Sequence, residues 1–144
     1  MKGPVPQNYT DMHYSKKLKD LSHPIERLEV FEERLGIRFE GLCIVQKRCW
    51  DLEGSPDDGW LDIEVNGEFH PKDGTEIKRS VDLVLNIYDC YDSSAKVVAT
   101  RSTRISAKTF FGFETFSISA DGIFLPKLFK VRLFPQAVPS YVDE

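Results

Sequence analysis

The sequence holds little of what catalytic and metal sites are usually built from. Its 144 residues include three histidines and three cysteines. His13, His23 and His70 stand far apart, and with Cys43, Cys49 and Cys90 they form no C-x-x-C or H-x-x-x-H spacing, so no metal site is expected from them. An odd number of cysteines without framework spacing suits free thiols in a reducing compartment, and the expected location is cytoplasmic. A bridge from Cys43 or Cys49 to Cys90 stays open at this level. No G-x-S-x-G, P-loop or dinucleotide fingerprint occurs, and Cys90, between Asp89 and Tyr91, has no evident base beside it. An enzyme is therefore not expected, and no cofactor is implied.

Positive charge and long apolar runs are also lacking. Lys and Arg number 19 against 23 Asp and Glu, a net charge of −4. The basic residues fall in short pairs (Lys16-Lys17, Lys47-Arg48, Lys78-Arg79) among carboxylates, which argues against nucleic acid as the main partner. The opening MKGPVPQNYTDMHYSKKLKD has no apolar core, so no secretory signal is expected. No stretch approaches the roughly 18 apolar residues of a membrane span, and no membrane partner is expected.

What is present is a globular composition, 41% hydrophobic and 29% charged, in a chain of single-domain length. Residues 1–22 are polar and read as a tail, although Tyr9, Met12, Tyr14, Leu18 and Leu21 give it groups that can dock. A helix is expected over about 24–35, with Ser22 as N-cap, Pro24 near its first position, an apolar stripe of Ile25, Leu28, Phe31 and Leu35, and Gly36 as its stop. The competing reading is a strand over 27–32, where Leu28 and Val30 alternate.

The rest of the domain, to residue 136, reads as strands. Ile37–Asp51 is a partly buried strand, and Leu52–Gly59 is a loop rich in turn residues. Trp60–Phe69 alternates Leu61, Ile63 and Val65 against Asp62 and Glu64. Asn66-Gly67 is either a hairpin turn or a bulge in one longer strand. A turn at His70–Gly74 is expected to close a hairpin onto Val81–Ile105, where two alternating runs flank Asp89–Ala95. Gly112 is expected to bend the run Phe110–Phe116, and Asp121-Gly122 to form a turn. Leu128–Phe134 is the last strand, with Phe129, Val131 and Leu133 toward the core; Pro135 and Pro139 end the sheet, and 137–144 form an acidic tail. Short strands with turn signals every 8 to 12 residues or so are the pattern of an antiparallel β-sandwich, here with one short N-terminal helix.

Residues 61–134 resemble the FxLYD type of immunoglobulin-like β-sandwich module. The likeness rests on Val65-Asn66-Gly67, Leu85-Asn86-Ile87-Tyr88-Asp89, Lys96-Val97-Val98-Ala99 and Phe113–Phe116. Ala95 stands where the pattern has a turn glycine, Cys90–Ser94 lengthens the loop, and the Pro-Gly before the Phe-rich strand is absent. The resemblance implies a non-catalytic immunoglobulin-like fold and names no ligand.

The remaining candidates are surface groups. Asp57, Asp58 and Asp62, with Asp51 and Glu53, surround the Trp50–Trp60 loop; they are weak calcium candidates, because the spacing of an EF-hand is not met. Aromatic side chains in loops suit protein recognition or stacking on a sugar ring. Tyr9, Tyr14, Trp50, Trp60, Tyr88, Tyr91 and Phe110 are the candidates, weighed against ordinary core roles. The expected function is a non-catalytic protein-protein interaction or structural module, such as a subunit of a larger assembly, contacting partners through the N-terminal tail, a sheet edge or aromatic loops. The alternatives are a carbohydrate- or small-ligand-binding sandwich and a small acidic inhibitor or immunity-type protein.

Overall fold

Strict alternation along one long strand sets the architecture. From Trp60 to Pro71, the odd positions Leu61, Ile63, Val65, Phe69 and Pro71 are buried, while Asp62, Glu64, Asn66, Glu68 and His70 face outward. In the computed structural model, which describes residues 25–51, 53–54, 59–90, 95–124 and 129–139, with 14–20 as backbone, this strand is the middle of a mainly β fold. The elements are β1 (Tyr14–Asp20), β2 (Ile25–Arg27), α1 (Glu29–Leu35), β3 (Ile37–Asp51), β4 (Trp60–Pro71), β5 (Val81–Asp89), β6 (Lys96–Ile105), β7 (Glu114–Phe124) and β8 (Phe129–Ala137). They form two four-stranded sheets, ordered β1-β3-β4-β7 and β2-β8-β5-β6. One hydrophobic cluster draws Ile44, Leu61, Val65 and Phe69 from the first sheet and Leu83, Leu85, Ile87, Val131 and Leu133 from the second. That arrangement is consistent with a β-sandwich. No helix among the described residues is long and apolar enough to cross a membrane.

The Val81–Ile105 hairpin forms as expected, with Val81 opposite Ile105 and β5 interior between β6 and β8. Several expectations are corrected. The helix is shorter, because Ile25–Arg27 adds in parallel to β8 (Ile25↔Val131, Arg27↔Leu133). Bonding to that open edge satisfies backbone groups and lets Ile25 pack on the core. The helix then starts after Leu28, with no side-chain cap, and stops at Gly36, whose φ of 68° suits glycine. Ser22 and Pro24 lie outside the described residues. The tail reading fails over Tyr14–Asp20, which pairs antiparallel with β3 from Asp51 to Val45.

His70–Gly74 does not return β4 onto β5 as a hairpin; the chain crosses to the other sheet there, so the two apolar faces meet across the core. Asn66-Gly67 lies within one continuous strand, opposite a bulge whose extra residue is on β3 between Glu40 and Cys43. Asp121-Gly122 is likewise a bulge within β7, with Gly122 at φ 69° and its N–H donated to Asp62 at 2.8 Å. β8 runs through Pro135 to Ala137. Val138 donates to Ser80, next to β5, so alternation turns position 135, which has no N–H, toward the edge where β2 has ended.

Candidate functional site

The outward face of the β1-β3-β4-β7 sheet concentrates polar chemistry on its central strand. At one end of β4, register sets Arg38 opposite His70 and Glu40 opposite Glu68. His70 Nε2 lies 2.9 Å from Glu68 Oε1 and 3.8 Å from Glu40 Oε1. Arg38 holds the other oxygen of Glu40 at 2.7–2.8 Å and donates to the Pro71 carbonyl at 2.8 Å. The His70 ring stacks on Phe113, with centroids 5.3 Å apart and planes within 10°.

Phe113 is held there by the bend expected at Gly112. Gly112 has φ 86° and donates to the Thr75 carbonyl at 2.8 Å, while Phe113 donates to Phe111 at 3.0 Å. The bend sorts the phenylalanines. Phe110 is 6% exposed and meets Phe69 edge-on at 5.6 Å, so this binding candidate is a core anchor. Its neighbours carry the surface instead: Phe111 is 81% and Phe113 53% exposed.

The middle of the same face is a concavity of about 250 Å³ lined by Val45, Lys47, Asp62, Ile63, Glu64, Ser119 and Asp121. Ser117 donates to Glu64 at 2.8 Å. Although Asp121 reaches solvent, its carboxyl is held above the usual range, first by partial desolvation and then by Asp62 and Glu64, with Lys47 and Arg101 pulling the other way. The field here is net acidic. At the far end Trp60 is opposite Phe124, which is 82% exposed.

The other candidates separate. Trp50 and Trp60 fall on opposite faces by strand alternation, both half-buried. Tyr88 lies in the second sheet, where its hydroxyl accepts from Arg132 (3.2 Å) and Asn86 (3.4 Å), and the Arg132 guanidinium covers its ring at 5.1 Å. With Glu26 bonded to Arg132 at 2.6 Å and Thr100 to Asn86 at 2.8 Å, Tyr88 belongs to a polar tie across all four strands of that sheet. Tyr14 begins β1, its backbone opposite Asp51. Tyr9, Tyr91, Asp57 and Asp58 lie outside the described residues, and Asp62 faces the concavity. Cys43, Cys49 and Cys90 are free thiols.

Sequence reasoning missed Glu40, Glu68, His70 and Phe113 as a group. The available signal was two i, i+2 polar pairs, Arg38/Glu40 and Glu68/His70, in strands alternating on the same period. Comparison with family models, with curated proteins and with solved structures gave no match.

Proposed function

We propose that this chain is a non-catalytic, immunoglobulin-like β-sandwich module that binds a cationic protein partner through the outward face of its β1-β3-β4-β7 sheet. The strand order supports the fold reading. β3-β4 pair in one sheet, β5-β6 in the other, and β7 and β8 return beside β4 and β5, a Greek-key pattern. The observation that carries the binding reading is the charge of the face. Glu40, Asp62, Glu64, Glu68 and Asp121 share it, five carboxylates against Arg38 and Lys47 among the described side chains, and Asp62 and Glu64 add to the desolvation that chiefly raises the Asp121 carboxyl. Exposed aromatics at both ends supply apolar area that an acidic stripe alone lacks. The three free thiols support a reducing, cytoplasmic setting.

The test is a comparative capture from the source cells. It uses the wild type, the triple variant Asp62→Asn/Glu64→Gln/Glu68→Gln, and Ser102→Glu on the opposite sheet as control. One partner retained by wild type and control, released by salt and lost by the triple variant is the expected result. Equal retention by all three overturns the reading. The acidic face also favours the second reading, a small inhibitor that masks a basic partner; suppression of the captured protein's own activity on adding this chain distinguishes it.

A further inference from the structure

We propose that Glu40, Glu68 and His70 form a Zn²⁺ site on the outward face of the sheet. Their candidate ligand atoms all lie within 4.8 Å of one another, from adjacent strands whose register fixes them on one side. Bonds of about 2.0–2.2 Å in tetrahedral geometry hold neighbouring ligand atoms about 3.3–3.6 Å apart. The His70–Glu68 distance of 2.9 Å and the His70–Glu40 distance of 3.8 Å straddle that range. The two histidine–carboxylate distances thus need changes of only about half an ångström, and the two carboxylates, within 4.8 Å of each other, close on the ion by side-chain rotation.

Two further contacts prepare the site. The stack on Phe113 fixes the plane of the imidazole, so Nε2 is already aimed between the carboxylates. Arg38 grips Oε2 of Glu40 and leaves Oε1 toward His70, the kind of outer partner that orients metal-binding carboxylates. Glu40 and Glu68 are also directly opposed across the strands, a like-charge pair that a cation relieves. One imidazole with two carboxylates suits Zn²⁺ and its first-row neighbours; Ca²⁺ takes about six to eight oxygens, more than this site offers, and Mg²⁺ favours oxygen ligands over an imidazole. Three protein ligands leave a fourth position to water or to a group from outside the chain. The imidazole binds as the neutral ring through Nε2 with its proton on Nδ1.

The test is calorimetric titration of the full chain with Zn²⁺, with Co²⁺ absorption as the spectroscopic readout. Wild type is expected to bind one ion, to develop Co²⁺ ligand-field bands, and to melt at higher temperature with Zn²⁺ present. His70→Gln and Glu68→Gln each remove a ligand and are expected to abolish the bands. Neither side chain is in the core, Glu68 being partly exposed and His70 partly covered by Phe113, and circular dichroism confirms the fold of each variant. Phe113→Ala, a positioning change, is expected to weaken binding by about tenfold while keeping the bands. A His13→Gln/His23→Gln variant is expected to bind as wild type. Absence of Zn²⁺ binding by the wild type, or binding unchanged in both His70→Gln and Glu68→Gln, overturns the proposal.

Discussion

Replacing Arg27 by alanine is expected to destabilise the domain by about 3 kcal/mol, because it strands a buried carboxylate. Glu32 is 4% exposed and receives two bonds from Arg27, Nη2 at 2.6 Å and Nε at 3.0 Å. The hydrogen bonding to Glu32 is the main cause that raises the Arg27 guanidinium above its already high range. Arg27 ends β2, and Glu32 sits in the first turn of α1. Since Leu28 offers no side-chain cap, this bidentate pair is the polar link between strand and helix. Arg27 is about a third exposed, so solvent reaches one side of the pair and the loss lies at the lower end of the range for broken buried pairs, about 3–5 kcal/mol.

For a chain of this length, that corresponds to a fall in melting temperature of about 10 °C. The double variant Arg27→Met/Glu32→Leu removes both charges and keeps apolar volume. It is expected within about 1 kcal/mol of wild type, since the desolvation cost disappears with the attraction. Urea unfolding of wild type, Arg27→Ala, Glu32→Gln and Arg27→Ala/Glu32→Gln yields the coupling energy directly. A coupling below about 0.5 kcal/mol, with Arg27→Ala near wild type, refutes the reasoning.

Three other perturbations test the packing and the acidic face. Gly67→Ala places a Cβ 2.6 Å from Leu42 Cδ2 and 3.0 Å from Phe116 Cζ; the half-buried leucine tip can swing aside, so a loss of about 1 kcal/mol, the low end for overpacking, is expected in urea unfolding. Gly122→Ala meets no atom within 4 Å but must hold φ 69°, and a loss of about 1–2 kcal/mol is expected from the backbone alone. Gly122→Asn should lose less, and equal losses would contradict the left-handed bulge. Asp121 binds its proton more tightly in the folded chain, so its ionisation destabilises the domain above the folded pKa, and that deficit vanishes as pH falls through the folded pKa toward the unfolded value. Asp121→Asn is therefore expected to gain less than about 0.5 kcal/mol at neutral pH, because the carboxyl reaches solvent, and to match wild type in acid. A larger advantage in acid than at neutral pH would reverse the sign and refute the assignment.

The parts of this fold that were legible in the sequence are those whose signal is local and periodic. Val81–Ile87 and Leu61–Val65 alternate over several residues, and burial of one face follows directly. Gly112 was readable because consecutive phenylalanines cannot share one face of a strand. β2 was not readable, because Ile25–Arg27 is too short to show a period and is stabilised by β8, roughly a hundred residues away in the chain. The crossing after His70 escaped for a similar reason: turn chemistry marks a reversal and leaves open whether the next strand pairs beside the last or across the core.

The outward cluster was hidden more deeply, because its register depends on a bulge in β3 between Glu40 and Cys43. Before the bulge the odd positions Ile37 and Phe39 are buried; after it the even position Ile44 is buried, against Val65. Gly41, at φ 63°, absorbs the change of phase. Paired regularly through Gly41 and Leu42 with no bulge, a β3 keeping Ile44 against Val65 would set Glu40 opposite Phe69 and Phe39 opposite His70, turning a carboxylate into the core and a phenyl ring to the surface. The bulge thus allows one strand to satisfy the core at both ends and still place Glu40 beside Glu68 and Arg38 beside His70. A Gly41→Val variant tests this link between packing and site: strain at the left-handed position should lower stability and separate Glu40 from His70 together.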